Sequence, residues 1–329
     1  MKVTEEEIRP DKVFKEYLEL TNKDVVTYFS NSKRTEISCP ACGGEGMLWA
    51  EKAGFSYKKC DTCITIYVSP RPERSAFDSY YTDSPSTKFW ATTFYKVTES
   101  ARREKLWKPK AQMIKDRIIQ YENNDPVMSI VDIGGGYGVF DEEIKNIMDI
   151  RAIVIEPSVH LAAICRNKGL DVIEKFMEDI LPDELPSGRK CFVSFELFEH
   201  LHDPRVFLET VFAGMNSNDL FIFTTLSGMG LDIQVLKSNA KALSPPHHLN
   251  FMNPKSVSLL LEQVGFNVLE AITPGKLDID ILKNNQHFLE EDFWKNTLNY
   301  LSDNELSELQ LHISNAGLSS HMMITCQKA

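Results

Sequence analysis

Four glycines, Gly134, Gly135, Gly136 and Gly138, follow an apolar run that closes on Asp132 and Ile133. Glycine admits left-handed backbone dihedrals and leaves room for a ligand against the main chain. A helix that follows such a turn points free N–H groups at the ligand. The stretch VMSIVDIGGGYGVF, residues 127–140, therefore predicts a cofactor cradle between a strand and a helix. Spacing narrows the cofactor. A dinucleotide fingerprint GxGxxG needs glycine at 139 if begun at Gly134, where Val139 stands, and at 137 if begun at Gly135, where Tyr137 stands. That disfavours a nicotinamide oxidoreductase; the pattern present is DxGxGxG, from Asp132 to Gly138. A second apolar run, RAIVIE, ends on Glu156 about twenty residues beyond the glycines, where a carboxylate can accept both hydroxyls of a ribose.

The cysteines form a second pattern. Cys39 and Cys42 sit in CPAC, Cys60 and Cys63 in CDTC, and the intervening stretch has the glycines and alternation of a hairpin. Each CxxC knuckle can present two thiolates to one tetrahedral ion, which predicts a zinc ribbon. Two disulfides are the alternative, disfavoured in a reducing compartment. Four thiolates leave no open position, so the zinc is structural, worth on the order of 10 kcal/mol to a module with little core of its own. Cys165, Cys191 and Cys326 lie in apolar contexts and read as small core residues.

At 329 residues the chain exceeds what one core usually fills, and 43% hydrophobic with 25% charged residues reads as globular. Its net charge of −11 argues against a nucleic-acid partner, whose binding draws on Lys and Arg. No apolar run approaches the roughly 18 residues of a membrane span. The start MKVTEEEIRPDK lacks the basic and apolar regions of a signal peptide, so a cytoplasmic location is expected.

Four parts must position these residues. Residues 1–36 read as a helical segment, 37–70 as the ribbon, 71–122 as a helical cap rich in aromatic residues between Phe77 and Tyr95, and 123–329 as the core, introduced by a turn at NNDP. The core alternates strand and helix patterns, which implies an α/β fold with a parallel sheet and helices on both faces. Its strands are expected at 128–133, 151–156, 171–174, 190–195, 219–224, 266–272 and 320–328, with a helical insertion at about 275–318. Asn253 can cap a helix that begins at Pro254 and ends at Gly265.

The DxGxGxG loop and Glu156 resemble motif I and the second strand end of class I S-adenosylmethionine-dependent methyltransferases. CFVSFELFEHLHDP, 191–204, is similar to the fourth strand and exit loop of the ubiquinone and menaquinone biosynthesis methyltransferases, with Phe198, Glu199 and His200 where a Leu-Glu-His run stands. SPPHHLNFMNPKSVSLLLEQVGFNVLE, 244–270, TPGKLDID, 273–280, and the ending LSSHMMITCQKA resemble a bacterial subgroup with an N-terminal zinc ribbon, associated with surface-polysaccharide and secondary-metabolite modification.

The resemblance implies a Rossmann-like sheet whose seventh strand inserts antiparallel beside the fifth. It implies S-adenosylmethionine held by Asp132, Gly134, Gly135, Gly136, Tyr137, Gly138, Glu156 and Pro157. Glu178 and Asp179 stand toward the adenine, and Phe195, Glu196 and Leu197 toward the methionine half. Glu199, His200, His247 and His248 become candidates for a base or for acceptor contacts, each with a purely structural alternative. Metal at His247 and His248 is disfavoured for want of a neighbouring carboxylate or helical spacing. The favoured function is methyl transfer to a small molecule: a sugar, nucleotide-sugar, lipid-linked or natural-product acceptor. An RNA or protein methyltransferase that grips its polymer with the ribbon is the alternative, weakened because Lys52, Lys58 and Lys59 are interspersed with Glu36, Glu45, Glu51 and Asp61. The intact DxGxGxG and Glu156 argue against a non-catalytic binding module.

Overall fold

The computed structural model describes residues 4–122 and 125–329. Asn123 and Asn124 of the expected NNDP turn, and the first three residues of the expected N-terminal helical segment, lie outside the described residues. The chain forms two compact units from interleaved segments. The first takes Met1–Arg102, Leu226–Ser256 and Ile272–Met322, and the second Arg103–Thr225, Val257–Ala271 and Met323–Ala329.

The second unit is built on the strands β1 Ser129–Ile133, β2 Arg151–Ile155, β3 Asp171–Ile173, β4 Lys190–Phe195, β5 Leu220–Leu226, β6 Phe266–Ile272 and β7 His321–Lys328. Their order is β6-β7-β5-β4-β1-β2-β3, and β3, β2, β1, β4 and β5 run parallel. β7 runs the other way, because Asn218 bonds to Lys328 at one end of the β5 and β7 pair and Ser227 bonds to Ser320 at the other. All of β1 and β4 and nearly all of β5 are buried, as in strands covered on both faces by helices. Helices Val139–Ile147, Val159–Asn167 and Pro204–Gly214 follow β1, β2 and β4. The expected Rossmann-like α/β sheet is therefore present. Its order reverses between β1 and β4, and such a fold binds ligands beyond the carboxyl ends of the strands at that reversal.

The far ends of β4 and β5 are fastened by a buried ion pair. Lys190 Nζ lies 3.0 Å from Asp219 Oδ2, and Asp219 also accepts from the backbone N–H groups of Lys190 and Asn216, both at 2.7 Å. Removing one partner strands a buried charge. Asp219→Ala should lower unfolding free energy by about 3 kcal/mol, as read from urea denaturation.

In the first unit the ribbon hairpin pairs Gly46–Lys52 with Phe55–Cys60 around Ala53 and Gly54, both at positive φ. Ile66–Val68 and Asn250–Phe251 complete a four-stranded antiparallel sheet. Phe55, Tyr57 and Ile66 enter one core with Phe29, Phe77, Tyr80 and Phe251. The aromatic segment is packed, with Trp90 stacked on Phe94 at 4.2 Å and tilted against Tyr17 of helix Asp11–Phe29 at 4.9 Å. Helices Asp278–Asn284, Asp292–Tyr300 and Asp303–Asn315 occupy the expected insertion. No described helix is long and apolar enough to cross a membrane.

Candidate functional site

Asp132, fully buried, is the last residue but one of β1, and the chain turns through Gly134, Gly136 and Gly138 at φ 75°, 57° and 64°. Side chains are also excluded by contact. A Cβ on Gly135 would lie 2.8 Å from both Asp132 Oδ2 and Val154 Cγ1, and one on Gly138 2.3 Å from Leu170 Cδ1. At Gly136 a Cβ would meet nothing within 4 Å, so the crest of the loop is open to a ligand. Tyr137, half-buried, lends its carbonyl to Lys168 Nζ at 2.9 Å.

Glu156 follows β2 and is buried. Its Oε2 accepts from the Gly136 N–H at 3.0 Å and its Oε1 from the Ser158 N–H at 2.9 Å. Burial raises its carboxyl above the ordinary range, and the two N–H groups oppose that. Each carboxylate oxygen keeps a further lone pair, so a pair of ribose hydroxyls can still be accepted. Pro157 is half-buried beside it, while Glu178 and Asp179 are exposed on the short turn Met177–Asp179, anchored by buried Met177. Sequence reading missed Asp141, wholly buried in the helix after the loop and set against Asp132. Burial, and then Asp141, push Asp132 well up, and burial pushes Asp141 up to about 6.

The carboxyl ends of β4 and β5 carry a polar cluster under aromatic rings. Phe195 packs on Phe140 at 4.6 Å and Trp107 at 5.9 Å. Glu196 then takes φ 53°, a left-handed conformation costly for a side-chain-bearing residue. Its Oε1 accepts from the Thr224 hydroxyl at 2.7 Å. Lys110 Nζ reaches Thr224 Oγ1 at 3.1 Å and Glu196 Oε1 at 3.4 Å, and stands over the rings of Phe195 and Trp107. Leu197 lies under Gly134, 3.2 Å from where a Cβ would be. On the next turn, Phe198–His200, Glu199 is buried and accepts from the Thr225 hydroxyl at 2.8 Å, while His200 is half-buried. Burial, followed by Glu196, pushes the Glu199 carboxyl up to about 8. Lys110 gave no signal beyond a basic stretch; the contact spans 86 residues.

His247 and His248 belong to the first unit. His247 is buried, and its Nε2 is hydrogen-bonded to the Tyr80 hydroxyl at 2.6 Å. Burial, and then His248, lower its pKa to about 3, while burial raises that of Tyr80. His248 donates from Nδ1 to the Ala242 carbonyl at 2.6 Å. Tyr80 was not read from the sequence as a partner, being 167 residues away.

Also in the first unit, the sulfurs of Cys39, Cys42, Cys60 and Cys63 all lie within 4.8 Å of one another. Cys39 and Cys63 are 3.5 Å apart, as are Cys42 and Cys60. A tetrahedral zinc with bonds of about 2.3 Å requires sulfurs about 3.8 Å apart, so the donor set fits that ion. The Gly44 N–H points at Cys42 Sγ at 3.4 Å, and Thr65 Oγ1 lies 3.2 Å from Cys63 Sγ. Contact with Cys39, then Thr65, lowers the Cys63 thiol to about 4, while Cys39 is pushed up by that same contact and by burial. Asn253 caps the helix from Pro254 through its Oδ1 and donates from Nδ2 to the Cys63 carbonyl at 2.8 Å. Cys165, Cys191 and Cys326 are buried free thiols.

Comparison with known proteins bears on this geometry. Residues 101–271 match a family model described as a methyltransferase domain. No curated protein matches the chain. Among solved structures, a plantazolicin methyltransferase in complex with a triazolic desmethylPZN analog and SAH is 14% identical over 74% of this chain and 93% of its own, with a TM-score of 0.48. A mycolic acid cyclopropane synthase complexed with SAH and CTAB is 16% identical over 72% of this chain and 86% of its own, TM-score 0.44. A SAM-dependent methyltransferase from Archaeoglobus fulgidus is 18% identical over 66% and 94%, TM-score 0.44. The family match covers more than half of the chain and holds the glycine loop, Glu156 and the ends of β4 and β5: the chain belongs to the methyltransferase-domain family and is an enzyme.

Proposed function

We propose that the chain transfers a methyl group from S-adenosylmethionine to a small-molecule acceptor of the sugar, nucleotide-sugar, lipid-linked or natural-product class. The observation that carries this reading is Glu156, buried at the end of β2 and bonded to Gly136 across the DxGxGxG loop. The cofactor residues of this proposal are Asp132, Gly134, Gly135, Gly136, Tyr137, Gly138, Glu156 and Pro157, with Phe195, Glu196 and Leu197 at the methionine half and Glu178 and Asp179 toward the adenine. Titration calorimetry with S-adenosylhomocysteine tests it: one site per chain is expected, and no heat of binding would sink the reading.

When bound, the cofactor supplies an activated methyl group on a sulfonium. The chain's own residues then need to orient the acceptor, exclude water and take its proton. Glu199, His200, His247 and His248 are the proposed acceptor and base residues. A histidine held near pKa 3 is neutral throughout the working range, so His247 cannot give activity a limb near neutrality. With an acceptor found by screening labelled methyl transfer to nucleotide-sugars and natural products, His247→Ala should lower turnover and leave the profile between pH 6 and 8 unchanged in shape. Disappearance of a limb in that range would contradict the neutral His247.

Polymer binding by the ribbon is less well supported. Lys58 is paired with Glu36 at 2.6 Å, and the Lys52 ammonium is spent on the Ala240 carbonyl at 2.7 Å. The four cysteines are proposed to hold one structural zinc. A cytoplasmic location, and the division into a helical segment at 1–36, a ribbon at 37–70, a cap at 71–122 and a core at 123–329, belong to the same proposal. Limited proteolysis, with cuts expected near those boundaries, tests the division.

A further inference from the structure

The second unit buries more carboxyl groups than ribose binding uses. Asp132, Asp141 and Glu199 are each at most 1% exposed, and Glu156 6%. Asp132 faces Asp141, Glu156 and, at longer range, Lys110; Asp141 faces Asp132, Lys145 and Glu142, the last held by Arg103 and Lys168. Asp132 Oδ1 and both Asp141 oxygens have no hydrogen-bond partner among the described residues. At the ends of β4 and β5, Glu199 faces Glu196, Lys110, the Thr225 hydroxyl and the His200 ring, a nitrogen of which lies within 4.8 Å of its carboxylate. The Lys110 ammonium is itself engaged with Glu196 and Thr224.

Charge within this cluster is nearly balanced. With Glu196 ionised, Lys110 protonated and the His200 ring neutral, a neutral Glu199 leaves no net charge, and an ionised one leaves a single negative charge out of water. Burial of that charge is costly unless a cation joins it. S-adenosylmethionine and its demethylated product differ by one such cation, the sulfonium, at the end of the ligand directed to these strand ends.

We propose that Glu199 is the residue by which this enzyme distinguishes the cationic methyl donor from its neutral product, ionising when the sulfonium is present and taking a proton when it is not. The proposal rests on the cofactor reading above. Methyl donor binding then releases a proton to solvent that product binding does not, and product carrying no charge for Glu199 to pair with is released more readily. The sign follows from linkage. A carboxyl neutral in the free enzyme and ionised in the donor complex makes donor affinity rise with pH, up to tenfold per pH unit below its free-enzyme pKa, and flatten above it. That carboxyl is held up to about 8, which sets the window from pH 6 to 8.

The experiment measures dissociation constants of S-adenosylmethionine and S-adenosylhomocysteine from pH 6 to 9 in the parent and in Glu199→Gln, whose amide keeps an acceptor for Thr225. The ligands' own ammonium groups titrate alike in both proteins, so they cancel. The preference for donor over product should climb several-fold per pH unit in the parent relative to the variant. Infrared difference spectra of the parent alone should show a protonated-carboxyl band lost with donor and kept with product, an arm that survives a variant failing to fold. A parent preference that tracks the variant at every pH, or a band unchanged by donor, would overturn the role of Glu199 and leave the cofactor reading standing. Failure of both ligands to bind would instead overturn the cofactor reading, and this inference with it.

Discussion

Serine at Cys39, Cys42, Cys60 and Cys63 together will abolish zinc binding and unfold the hairpin Gly46–Lys52 and Phe55–Cys60, at a cost on the order of 10 kcal/mol. The reason is the scarcity of other support at the knuckles: the strand Gly46–Lys52 has no fully buried residue, and Met47 and Leu48 are 70% and 60% exposed. Damage should spread inward, because Phe55 and Tyr57 of the partner strand pack in the core with Phe29 and Phe77. Elemental analysis should find one zinc per chain in the parent and none in the variant, with fast amide exchange across 46–60. Zinc uptake must also displace the protons of Cys39 and Cys42, whose thiols sit above their ordinary range, so metal affinity should rise with pH. A metal-free parent, or protected hairpin amides in the variant, would contradict this.

Glu156→Ala will cost S-adenosylhomocysteine affinity about 3 to 6 kcal/mol, the worth of two hydrogen bonds to a charged group at about 1.5 to 3 each. That is at least about a hundredfold in Kd. The substitution also removes the acceptor that pins Gly136, so part of the loss arises from a loosened loop. Glu156→Gln, which retains one acceptor oxygen, should lose less. Circular dichroism separates this from misfolding. Equal affinity in parent and alanine variant would move the ribose away from β2.

The local part of this architecture was legible because its causes are local. Glycines at 134, 136 and 138 are required by left-handed turns within five residues of chain, and the strand Ser129–Ile133 is buried on both faces. The seven strands lie within a few residues of their expected positions for the same reason. Contacts between distant segments left no trace in pattern. Lys110 sits in the basic run RREKLWKPK, yet its ammonium is drawn into the cluster of Glu196 and Thr224. Tyr80 reads as one aromatic among many, yet its hydroxyl is hydrogen-bonded to His247. Asp141 reads as an ordinary acid in a first helical turn, and its burial against Asp132 follows only from the fold of the loop. Interleaving of the two units is likewise set by long-range packing. His247 shows a further gap between residue type and chemistry, since burial removes the titration near neutrality that makes histidine an attractive base.

The central claim is that the DxGxGxG loop and Glu156 hold S-adenosylmethionine. A crystal structure of the chain grown with S-adenosylhomocysteine tests it most directly. The account predicts ligand density along Gly134–Gly138, with both ribose hydroxyls within hydrogen-bonding distance of the Glu156 carboxylate and the sulfur toward Phe195 and Glu196. Ligand bound elsewhere, or lying in the loop with its ribose away from Glu156, would contradict it.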